Sequence, residues 1–517
     1  MTFEIVFVLL SLLGMVAALI ADKMRPGMIL FSVVVLFLCA GILTPKEMLE
    51  GFSNKGMITV ALLFLVSEGI RQSGTLGQVI KKLLPQGKTT VFKAQLRILP
   101  SVAFISAFLN NTPVVVIFAP IIKHWAKSVN LPATKFLIPL SYVTILGGIC
   151  TLIGTSTNLV VHGMILEAGF EGFSMFELGK VGIFIAIAGI IYIFLFSKRL
   201  LPDARPDTAV PDEEVEEGEK LHRVEAVLGA RFPGINKKLK DFNFQRHYGA
   251  EVKEIKTRNG QRFVSNLEEV VLHEGDTLVV MADDTFIPTW GESSVFVLLT
   301  NGNDPDTSGK KKRWLALILL VLMIVGATVG ELPATKEMFP DIKLDMFFFV
   351  CITTIIMAWT NIFPARKYTK YISWDILITI ACAFAISKAM VNSGVADCVA
   401  GFIIGLSDDY GPHVLLAILF VITNLFSELI TNNAAAALAF PLALSISAQL
   451  GVSPTPFFVV ICMAASASFS TPIGYQTNLI VQGIGNYKFT DFVRIGLPLN
   501  IITFLISVIL IPLIWNF

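Results

Sequence analysis

The sequence predicts a polytopic α-helical membrane protein made of two inverted repeats, each with five spans and one re-entrant hairpin, with a small cytoplasmic α/β domain inserted between them. Three observations support this fold class. Hydrophobic residues form 54% of the 517 residues and charged residues 15%, a composition typical of chains that cross a bilayer. Two polar motifs each occur twice inside apolar stretches. More than half of the acidic residues, in contrast, lie in one segment between the halves.

The two polar motifs indicate an internal duplication. In the first, Asn110-Asn111-Thr112 aligns with Thr431-Asn432-Asn433, and in the second, Gly154-Thr-Ser-Thr-Asn158 aligns with Gly474-Tyr-Gln-Thr-Asn478. Asn111 and Asn158 are 47 residues apart, and Asn432 and Asn478 are 46 residues apart. Chance rarely repeats two unrelated polar motifs at one spacing, so we infer that the chain contains two copies of one unit.

The first copy, residues 1–201, contains five predicted spans and one broken hairpin. The hairpin is predicted at 98–122, because this apolar stretch is interrupted at Asn110 to Thr112, with about 12 residues before the break and 10 after it. At 1.5 Å per residue neither part crosses a hydrocarbon core of about 30 Å. A re-entrant hairpin fits, since non-helical backbone is tolerated at membrane depth where it lines a cavity. The remaining apolar stretches are 4–21, 28–43, 57–70, 134–166 (broken at 154–158) and 178–197.

Basic residues set the predicted topology. Lys81, Lys123 and Arg199 follow the third apolar run, the hairpin and the last span, and the positive-inside rule places these loops in the cytoplasm. The first copy therefore crosses the membrane five times. An odd number of crossings inverts the second copy relative to the first.

The segment 202–312 is predicted to be a cytoplasmic domain. It holds 21 of the 39 acidic and 15 of the 40 basic residues between Asp203 and Lys312, and it is flanked by basic residues on both sides. Alternating apolar positions predict strands, a polar stretch predicts a helix, and an Asn-Gly pair predicts a turn. The predicted elements are an acidic linker from Asp212 to Glu219, strands at 223–228, 250–256 and 277–281, a helix at 236–247 and a turn at Gly260.

The second copy, residues 313–517, repeats the plan in the opposite orientation. Arg366 and Lys370 place the end of its second span in the cytoplasm, so its hairpin, near 411–445, enters from the outside. Two broken hairpins that meet near the midplane are the arrangement in which secondary transporters bind substrate and ions. We expect a multi-pass protein of the plasma (inner) membrane with both termini outside the cytoplasm. The other apolar stretches are 314–330, 345–363, 372–391, 456–482 (broken) and 492–515.

The chemistry of the motifs favours an anion held between two cation sites. Helix N-termini carry unpaired N–H groups and partial positive charge, which suit anions. Unwound carbonyls together with Asn, Ser and Thr oxygens suit Na⁺. Alternatively, the same side chains only cap broken helices or hold neighbouring helices together. Glu428, whose counterpart is Ala107, is a candidate for cation coordination or proton coupling, or a structural partner.

These motifs resemble those of the divalent anion:sodium symporter (DASS) family. Asn110-Asn111-Thr112 and Thr431-Asn432-Asn433 are similar to its paired Ser-Asn-Thr signatures, and Gly154 to Asn158 resembles its Gly-Thr-Pro-Pro-Asn segment. The resemblance implies two Na⁺ sites, a substrate site between them, a homodimer and an elevator-type motion. The implied Na⁺ ligands are Ser106, Asn110, Asn111 and Gly154 in one site, and Ser427, Thr431, Asn432 and Gly474 in the other. The implied substrate contacts are Asn111, Thr112, Thr155, Ser156, Thr157, Asn432, Asn433, Tyr475, Gln476 and Thr477.

The departures from the family pattern bear on the substrate. Asn replaces Ser at 110, Thr replaces Ser at 431, Asn replaces Thr at 433, and the Pro-Pro pair is absent, which argues against the usual dicarboxylates. The insert resembles the TrkA-C domain of regulator-of-K⁺-conductance proteins. Family members with such inserts resemble sulfate transporters. The insert segments concerned are Arg231-Phe-Pro-Gly234, Tyr248-Gly-Ala-Glu-Val252 and Glu274-Gly-Asp-Thr-Leu278.

We therefore expect a sodium-coupled symporter of a small divalent anion, with sulfate as the substrate. The alternatives are a Na⁺-coupled dicarboxylate transporter or exchanger, and a Na⁺/H⁺ or arsenite antiporter of the same superfamily. A K⁺ channel is a remote alternative, because Gln476 follows Tyr475 where a selectivity filter needs glycine. No enzyme motif is present. The expected partners are the anion, Na⁺, membrane lipid, a second copy and a small regulatory ligand of the insert, without an organic cofactor or nucleic acid.

Overall fold

A computed structural model describes most of the chain. The described residues are 3–21, 24–203, 222–229, 232–257, 261–283, 286, 290, 295–300, 310–339, 342–405 and 411–517. The acidic linker from Asp212 to Glu219, Arg231 and the predicted turn at Gly260 lie outside these residues.

The first copy is helical, and the predicted apolar stretches all contain helices. Two short helices, α3 and α5, were not predicted from the sequence. Helix α3 begins with a capping box, in which Thr44 accepts from the Glu47 backbone and Glu47 accepts from the Thr44 backbone. The helices are α1 (Phe3–Ala21), α2 (Pro26–Cys39), α3 (Pro45–Glu50), α4 (Lys55–Gln72), α5 (Thr75–Leu83), α6 (Val91–Ser106), α7 (Asn111–Ser128), α8 (Leu137–Gly148), α9 (Ser156–Glu167) and α10 (Gly179–Leu200).

The second copy follows the same order, and here too each predicted stretch contains a helix or a broken pair of helices. Three short helices, α13, α15 and α17, were not predicted. The helices are α12 (Lys310–Gly330), α13 (Pro333–Met338), α14 (Met346–Trp359), α15 (Tyr368–Tyr371), α16 (Trp374–Asn392), α17 (Val395–Gly405), α18 (Gly411–Leu429), α19 (Asn432–Leu450), α20 (Thr455–Ser466), α21 (Gln476–Gly485) and α22 (Phe489–Ile514). Helix α11 belongs to the inserted domain.

The duplication extends to a Ser-Gly pair that precedes α5 and α17. Gly74 and Gly394 have φ angles of 70° and 75°, in the left-handed region where glycine is favoured. The hydroxyls of Ser73 and Ser393 donate to the carbonyls of Ile70 and Ala389, both at 2.7 Å. Each copy thus turns from its third span into a short helix by the same backbone conformation.

The hairpin arms are longer than predicted. Helices α6 and α7 contain 16 and 18 residues, and α18 and α19 contain 19 each. The apolar stretch underestimates the arms because the helices continue into polar and basic sequence, such as Val91 to Arg97. At 1.5 Å per residue, α6 and α7 still fall short of a hydrocarbon core of about 30 Å, and neither is among the candidate membrane spans, so the expectation for the first hairpin stays a prediction. The helix breaks themselves lie where the sequence predicted them.

By length and composition, eight helical stretches among the described residues could each cross a membrane, and α18 and α19 are two of them. The chain is a multi-pass membrane protein. That the hairpins are re-entrant stays a prediction.

Contacts between the copies occur in matched pairs. Helix α2 packs against α16, and α14 packs against α4. Helix α7 contacts α21, and α9 contacts α19. Within the first copy α6 packs on α8, and within the second α18 packs on α20. The last helices of the two copies, α10 and α22, pack against each other. Each contact has a counterpart, as expected for duplicated units that pack about a pseudo-two-fold axis.

The inserted domain is built on an antiparallel sheet with the strand order β3-β2-β4-β1-β5. The predicted strands are confirmed, and β3 and β5 were not predicted. Aromatic side chains of Phe232, Phe242, Phe244 and Tyr248 pack together in its core. The strands are β1 (His222–Leu228), β2 (Glu251–Lys256), β3 (Arg262–Phe263), β4 (Thr277–Ala282) and β5 (Phe296–Thr300).

The helix predicted at 236–247 is mostly absent. Only α11 (Phe244–Tyr248) forms, preceded by a 3₁₀ turn at Leu239–Asp241. Lys238 and Phe242, which flank this turn, have extended backbone with ψ angles of 149° and 99°, and this conformation interrupts an α-helix. Gly249, with a φ angle of 69°, ends α11. The polar composition of this stretch therefore reflects turns and not a continuous helix.

Close packing of α6 on α8 generates a testable prediction. A Cβ at Gly147 would overlap the carbonyl of Ala103, whereas a Cβ at Gly14 meets no atom within 4 Å. Because backbone atoms must move to admit the methyl group, Gly147→Ala is expected to cost about 1–3 kcal/mol. Gly14→Ala is the matched control and should not destabilise the protein. Thermal unfolding in detergent measures both, and equal melting temperatures for the two variants would contradict the packing.

Candidate functional site

A cluster of buried polar groups lies at the break between α6 and α7. We call it the first cluster, and it is formed by Ser106, Ala107, Asn111, Thr151 and Asn158. The Ser106 hydroxyl donates to Asn111 Oδ1 at 2.7 Å. The Thr151 hydroxyl donates to the Ala107 carbonyl, and Asn158 Nδ2 donates to the Thr151 carbonyl at 2.9 Å. These bonds join the end of α6, the start of α7 and the unwound segment between α8 and α9.

The second cluster, formed by Ser427, Glu428, Asn432, Thr471 and Asn478, repeats these bonds. The Ser427 hydroxyl donates to Asn432 Oδ1 at 2.8 Å, and the Thr471 hydroxyl donates to the Glu428 carbonyl at 3.0 Å. Asn478 Nδ2 donates to the Thr471 carbonyl at 3.1 Å. The aligned residues of the two motifs therefore have the same neighbours, and the duplication seen in the sequence is also a duplication of the local structure.

The glycines of both motifs lie against backbone carbonyls. A Cβ at Gly154 would lie 2.5 Å from the Gly148 carbonyl oxygen and 2.9 Å from that of Ala107, and a Cβ at Gly474 would lie 2.6 Å from the Ser427 carbonyl oxygen. Only glycine permits this approach. Each cluster thus combines hydroxyl, amide and carbonyl oxygens, the donor set that suits a hard cation such as Na⁺.

Two predicted Na⁺ ligands, Asn110 and Thr431, occupy equivalent N-cap positions but make different contacts. Thr431 is the N-cap residue of α19, and its hydroxyl accepts from the Ala434 N–H at 3.4 Å. Asn110 is the N-cap residue of α7 but makes no capping bond. It lines a small pocket together with Ser67 and Ser156, apart from the pair formed by Ser106 and Asn111.

Four helix N-termini meet where the two copies touch. Helices α7, α9, α19 and α21 begin at Asn111, Ser156, Asn432 and Gln476, and we call this meeting point the junction. Thr112 Oγ1 donates to Gln476 Oε1 at 3.3 Å. The hydroxyls of Ser156 and Thr157 donate to Asn433 Oδ1 at 3.3 and 3.2 Å. The junction therefore brings together predicted substrate residues from both copies.

Tyr475 lies at the centre of the junction. Its hydroxyl accepts from Asn111 Nδ2 at 2.6 Å and lies 3.0 Å from Thr155 Oγ1. Tyr475 and Asn111 are both buried, whereas Gln476 is exposed. In this arrangement the polar groups predicted to hold a substrate instead bind one another across the two copies.

Ser141 in α8 belongs to the same network, although the sequence did not single it out. Its hydroxyl lies 2.9 Å from Thr477 Oγ1 and 2.7 Å from Asn478 Oδ1. Thr477 is thereby turned toward α8 and is fully buried. The signal that could have identified Ser141 is its position in the otherwise apolar stretch at 134–166.

Glu428 has well-defined partners. Its carboxylate accepts from the Ser470 N–H at 2.8 Å and from Asn500 Nδ2 at 2.7 Å. Within the described part of the chain, no lysine or arginine is paired with it. It connects the tip of the second hairpin, the unwound segment before α21 and the last helix, α22. These bonds place a carboxyl group beside the second cluster, where the first copy has Ala107, and a role of Glu428 in cation coordination or proton coupling stays a prediction.

These features define a multi-pass secondary transporter: two duplicated helical units with oxygen-rich clusters at the helix breaks and a shared junction of helix N-termini. A family model described as Citrate transporter (CitMHS) matches residues 16–443 and 338–517. The chain belongs to this transporter family and is not an enzyme.

Three relatives show how the similarity is distributed. An uncharacterized transporter of Synechocystis is 30% identical, over 94% of this chain and 93% of its own length. An uncharacterized transporter of Escherichia coli, YfbS, is 26% identical over 99% of this chain and all of its own length. Sodium/sulfate cotransporter 2 of Chlamydomonas reinhardtii is 30% identical over 54% of this chain and 31% of its own length.

The hydrogen bonds of Glu428 generate a prediction on stability. Glu428→Ala leaves the Ser470 N–H without its acceptor in a buried site, which costs about 1–3 kcal/mol. It also removes one of the two acceptors of Asn500 Nδ2, which keeps its bond to the Ser470 hydroxyl at 2.8 Å. Asn500→Leu should also lower the melting temperature. The double variant should lose less than the sum of the two, because each change removes the partner that the other leaves unsatisfied.

Thermal unfolding in detergent measures the three variants, with the exposed Glu337→Ala as the control. Strictly additive losses would show that Glu428 and Asn500 do not act as a pair.

Proposed function

We propose that the protein is a sodium-coupled symporter of a small divalent anion, with sulfate as its substrate. The observation that carries this proposal is the junction, where four helix N-termini converge. Three of them, those of α7, α9 and α21, have no side-chain cap. Their N–H groups and partial positive charges favour an anion. The surrounding side chains, Thr112, Ser156, Asn433 and Gln476, are neutral hydrogen-bonding groups.

The two clusters on either side of the junction are the proposed Na⁺ sites. In the first, the candidate ligands are Ser106, Asn111 and the backbone near Gly154. In the second, they are Ser427, Asn432 and the backbone near Gly474. The equivalent bonds in the two clusters support two equivalent ion sites. Binding of cations next to the junction would lower the electrostatic cost of holding a divalent anion there, since opposite charges a few ångströms apart attract strongly at low dielectric constant.

The choice of sulfate over a dicarboxylate depends on two arguments. The motif departures at Asn110, Thr431 and Asn433 separate this chain from the usual dicarboxylate pattern, and a partly matching relative is named a sodium/sulfate cotransporter. The description of the family model, Citrate transporter, favours the second candidate, a Na⁺-coupled carrier of a di- or tricarboxylate. Both substrates are compact anions, so they are best separated by competition.

The matched contacts between the copies support an inverted repeat, and we propose that such a repeat works by alternating access of the elevator type. In this proposal the hairpin tips carry the junction from one side of the membrane to the other. The protein is proposed to act as a homodimer in the plasma (inner) membrane, with residues 202–312 in the cytoplasm.

Uptake of radiolabelled sulfate into liposomes tests the function. With the purified protein, an inward Na⁺ gradient should drive sulfate uptake that excess succinate and citrate do not inhibit. Inhibition by either carboxylate would show that the substrate is a carboxylate and not sulfate. Sulfate uptake that is the same in Na⁺ and in K⁺ would reject sodium coupling.

Substitution of the two equivalent asparagines tests the ion sites. Asn111→Ala and Asn432→Ala each remove one oxygen ligand and one hydrogen bond to serine, a loss of about 1.5 kcal/mol or about tenfold in affinity. The Na⁺ concentration for half-maximal uptake should rise about tenfold in each. Asn392→Ala is the control, because Asn392 is an exposed asparagine near Glu47, away from the junction. An unchanged Na⁺ dependence in both cluster variants would exclude these asparagines as ligands.

A further inference from the structure

The inserted domain is docked closely on α21. Gly275 has a φ angle of 85°, and a Cβ there would lie 2.6 Å from Leu479 Cγ. A Cβ at Gly483 would lie 2.7 Å from Thr277 Oγ1 and 3.3 Å from the Gly275 carbonyl oxygen. Glycine on both sides thus lets the turn before β4 approach α21 at backbone distance.

The domain is also attached to α7. Lys123 of α7 and Glu225 of β1 form an ion pair with an Nζ to Oε2 distance of 2.9 Å, and their side chains are only 23% and 18% exposed. Strand β5 contacts α7 as well. Val227 of β1 is 1% exposed and is packed in the apolar core of the membrane helices, not in the core of its own domain. One face of the domain is therefore a continuation of the membrane core.

A cavity of about 230 Å³ lies beside this contact and reaches the junction. Its floor includes Thr112 and Gln476, the hydrogen-bonded pair of the junction. One wall belongs to the inserted domain and the opposite wall to the segments at the starts of α2 and α16. The domain wall includes Val227, Leu228, Gly229, Glu274 and Gly275, and the opposite wall includes Arg25, Lys370, Tyr371, Ile372, Ser373 and Asp375.

We propose that the inserted domain moves as one body with α7 and α21 and that it forms the inner wall of the substrate pathway. This inference depends on the proposed transport function. Helices α7 and α21 both begin at the junction, so a displacement of the junction displaces the surface on which the domain is docked. If the inserted domain separated from α7 and α21, Val227 and Leu479 would become exposed and the Lys123–Glu225 pair would break. If the cavity instead widens between the domain and the starts of α2 and α16, those contacts stay intact.

The exit on the cytoplasmic side then lies between Glu274 and Ser373. Residues of the inserted domain become part of the route that the anion takes. Any ligand that shifts this domain acts directly on the width of the exit, without a relay through distant helices.

Two cross-links with opposite expected effects test the proposal. Both are made in a variant without the six native cysteines. The pair Thr277→Cys with Gly483→Cys lies within reach of a disulfide and fixes the domain to α21. Oxidation should change the rate of Na⁺-driven uptake less than twofold, because these surfaces move together.

The pair Glu274→Cys with Ser373→Cys is joined across the cavity by a cleavable bifunctional thiol reagent. This link should reduce uptake at least tenfold, and reduction should restore it. Loss of uptake on oxidation of the first pair would show that the domain must leave α21, and unchanged uptake with the second pair would show that the cavity is not the exit. Either result overturns the proposal. The reduced form of each protein is its own control for folding.

A labelling experiment separates this proposal from the transport function. Gln476→Cys, in the same background, should react with a membrane-impermeant maleimide added to the cytoplasmic face of inverted vesicles. Labelling from the opposite face alone would overturn the pathway, whichever anion the protein carries. If neither sulfate nor a carboxylate is taken up by the reduced proteins, the proposed function fails while the labelling still reports whether the cavity connects Gln476 to the cytoplasm.

Discussion

The structure depends on one constraint: a helix that is broken inside a bilayer leaves backbone groups that lipid cannot satisfy, at a cost of several kcal/mol for each. Side chains must satisfy them, and here Thr151, Asn158 and their counterparts Thr471 and Asn478 do so. These bonds fix the hairpin tips against the unwound segments. The oxygen-rich clusters lie at the breaks because the side chains that satisfy the freed backbone groups gather hydroxyl, amide and carbonyl oxygens there.

The two copies are equivalent in their bonds but not in their chemistry. Thr155 in one copy corresponds to Tyr475 in the other, and the larger side chain reaches across to Asn111. Ala107 corresponds to Glu428, which brings Asn500 and the last helix into the second cluster. The equivalent hydrogen bonds show that both copies close their helix break with the same local structure. The differences place a carboxyl group beside the second cluster, where the first cluster has only the methyl group of Ala107, so the two clusters are not chemically equivalent.

The sequence predicted the helix breaks and three strands of the inserted domain, and it missed isolated polar residues and the repeated short helices α5 and α17. The breaks at Asn110 and Thr431 were predictable because two polar motifs recur at one spacing. Ser141 and Asn500 were not, since a single polar residue in an apolar span is ambiguous without its partner. The arm lengths were underestimated because helices continue past the apolar residues. The helix at 236–247 was predicted from polar composition, but the extended backbone at Lys238 and Phe242 interrupts it. Docking of Gly275 on Leu479 joins distant parts of the chain, which no local pattern encodes.

The Tyr475 hydroxyl occupies hydrogen-bonding groups of the junction that a bound anion would need. Its hydroxyl is hydrogen-bonded to Asn111 and Thr155, so an anion bound there, as we propose, would gain only the difference between the bonds it makes and those it displaces. In the proposed symporter, discrimination would depend on how many donors a solute satisfies at once, and this would favour four tetrahedrally placed oxygens over two.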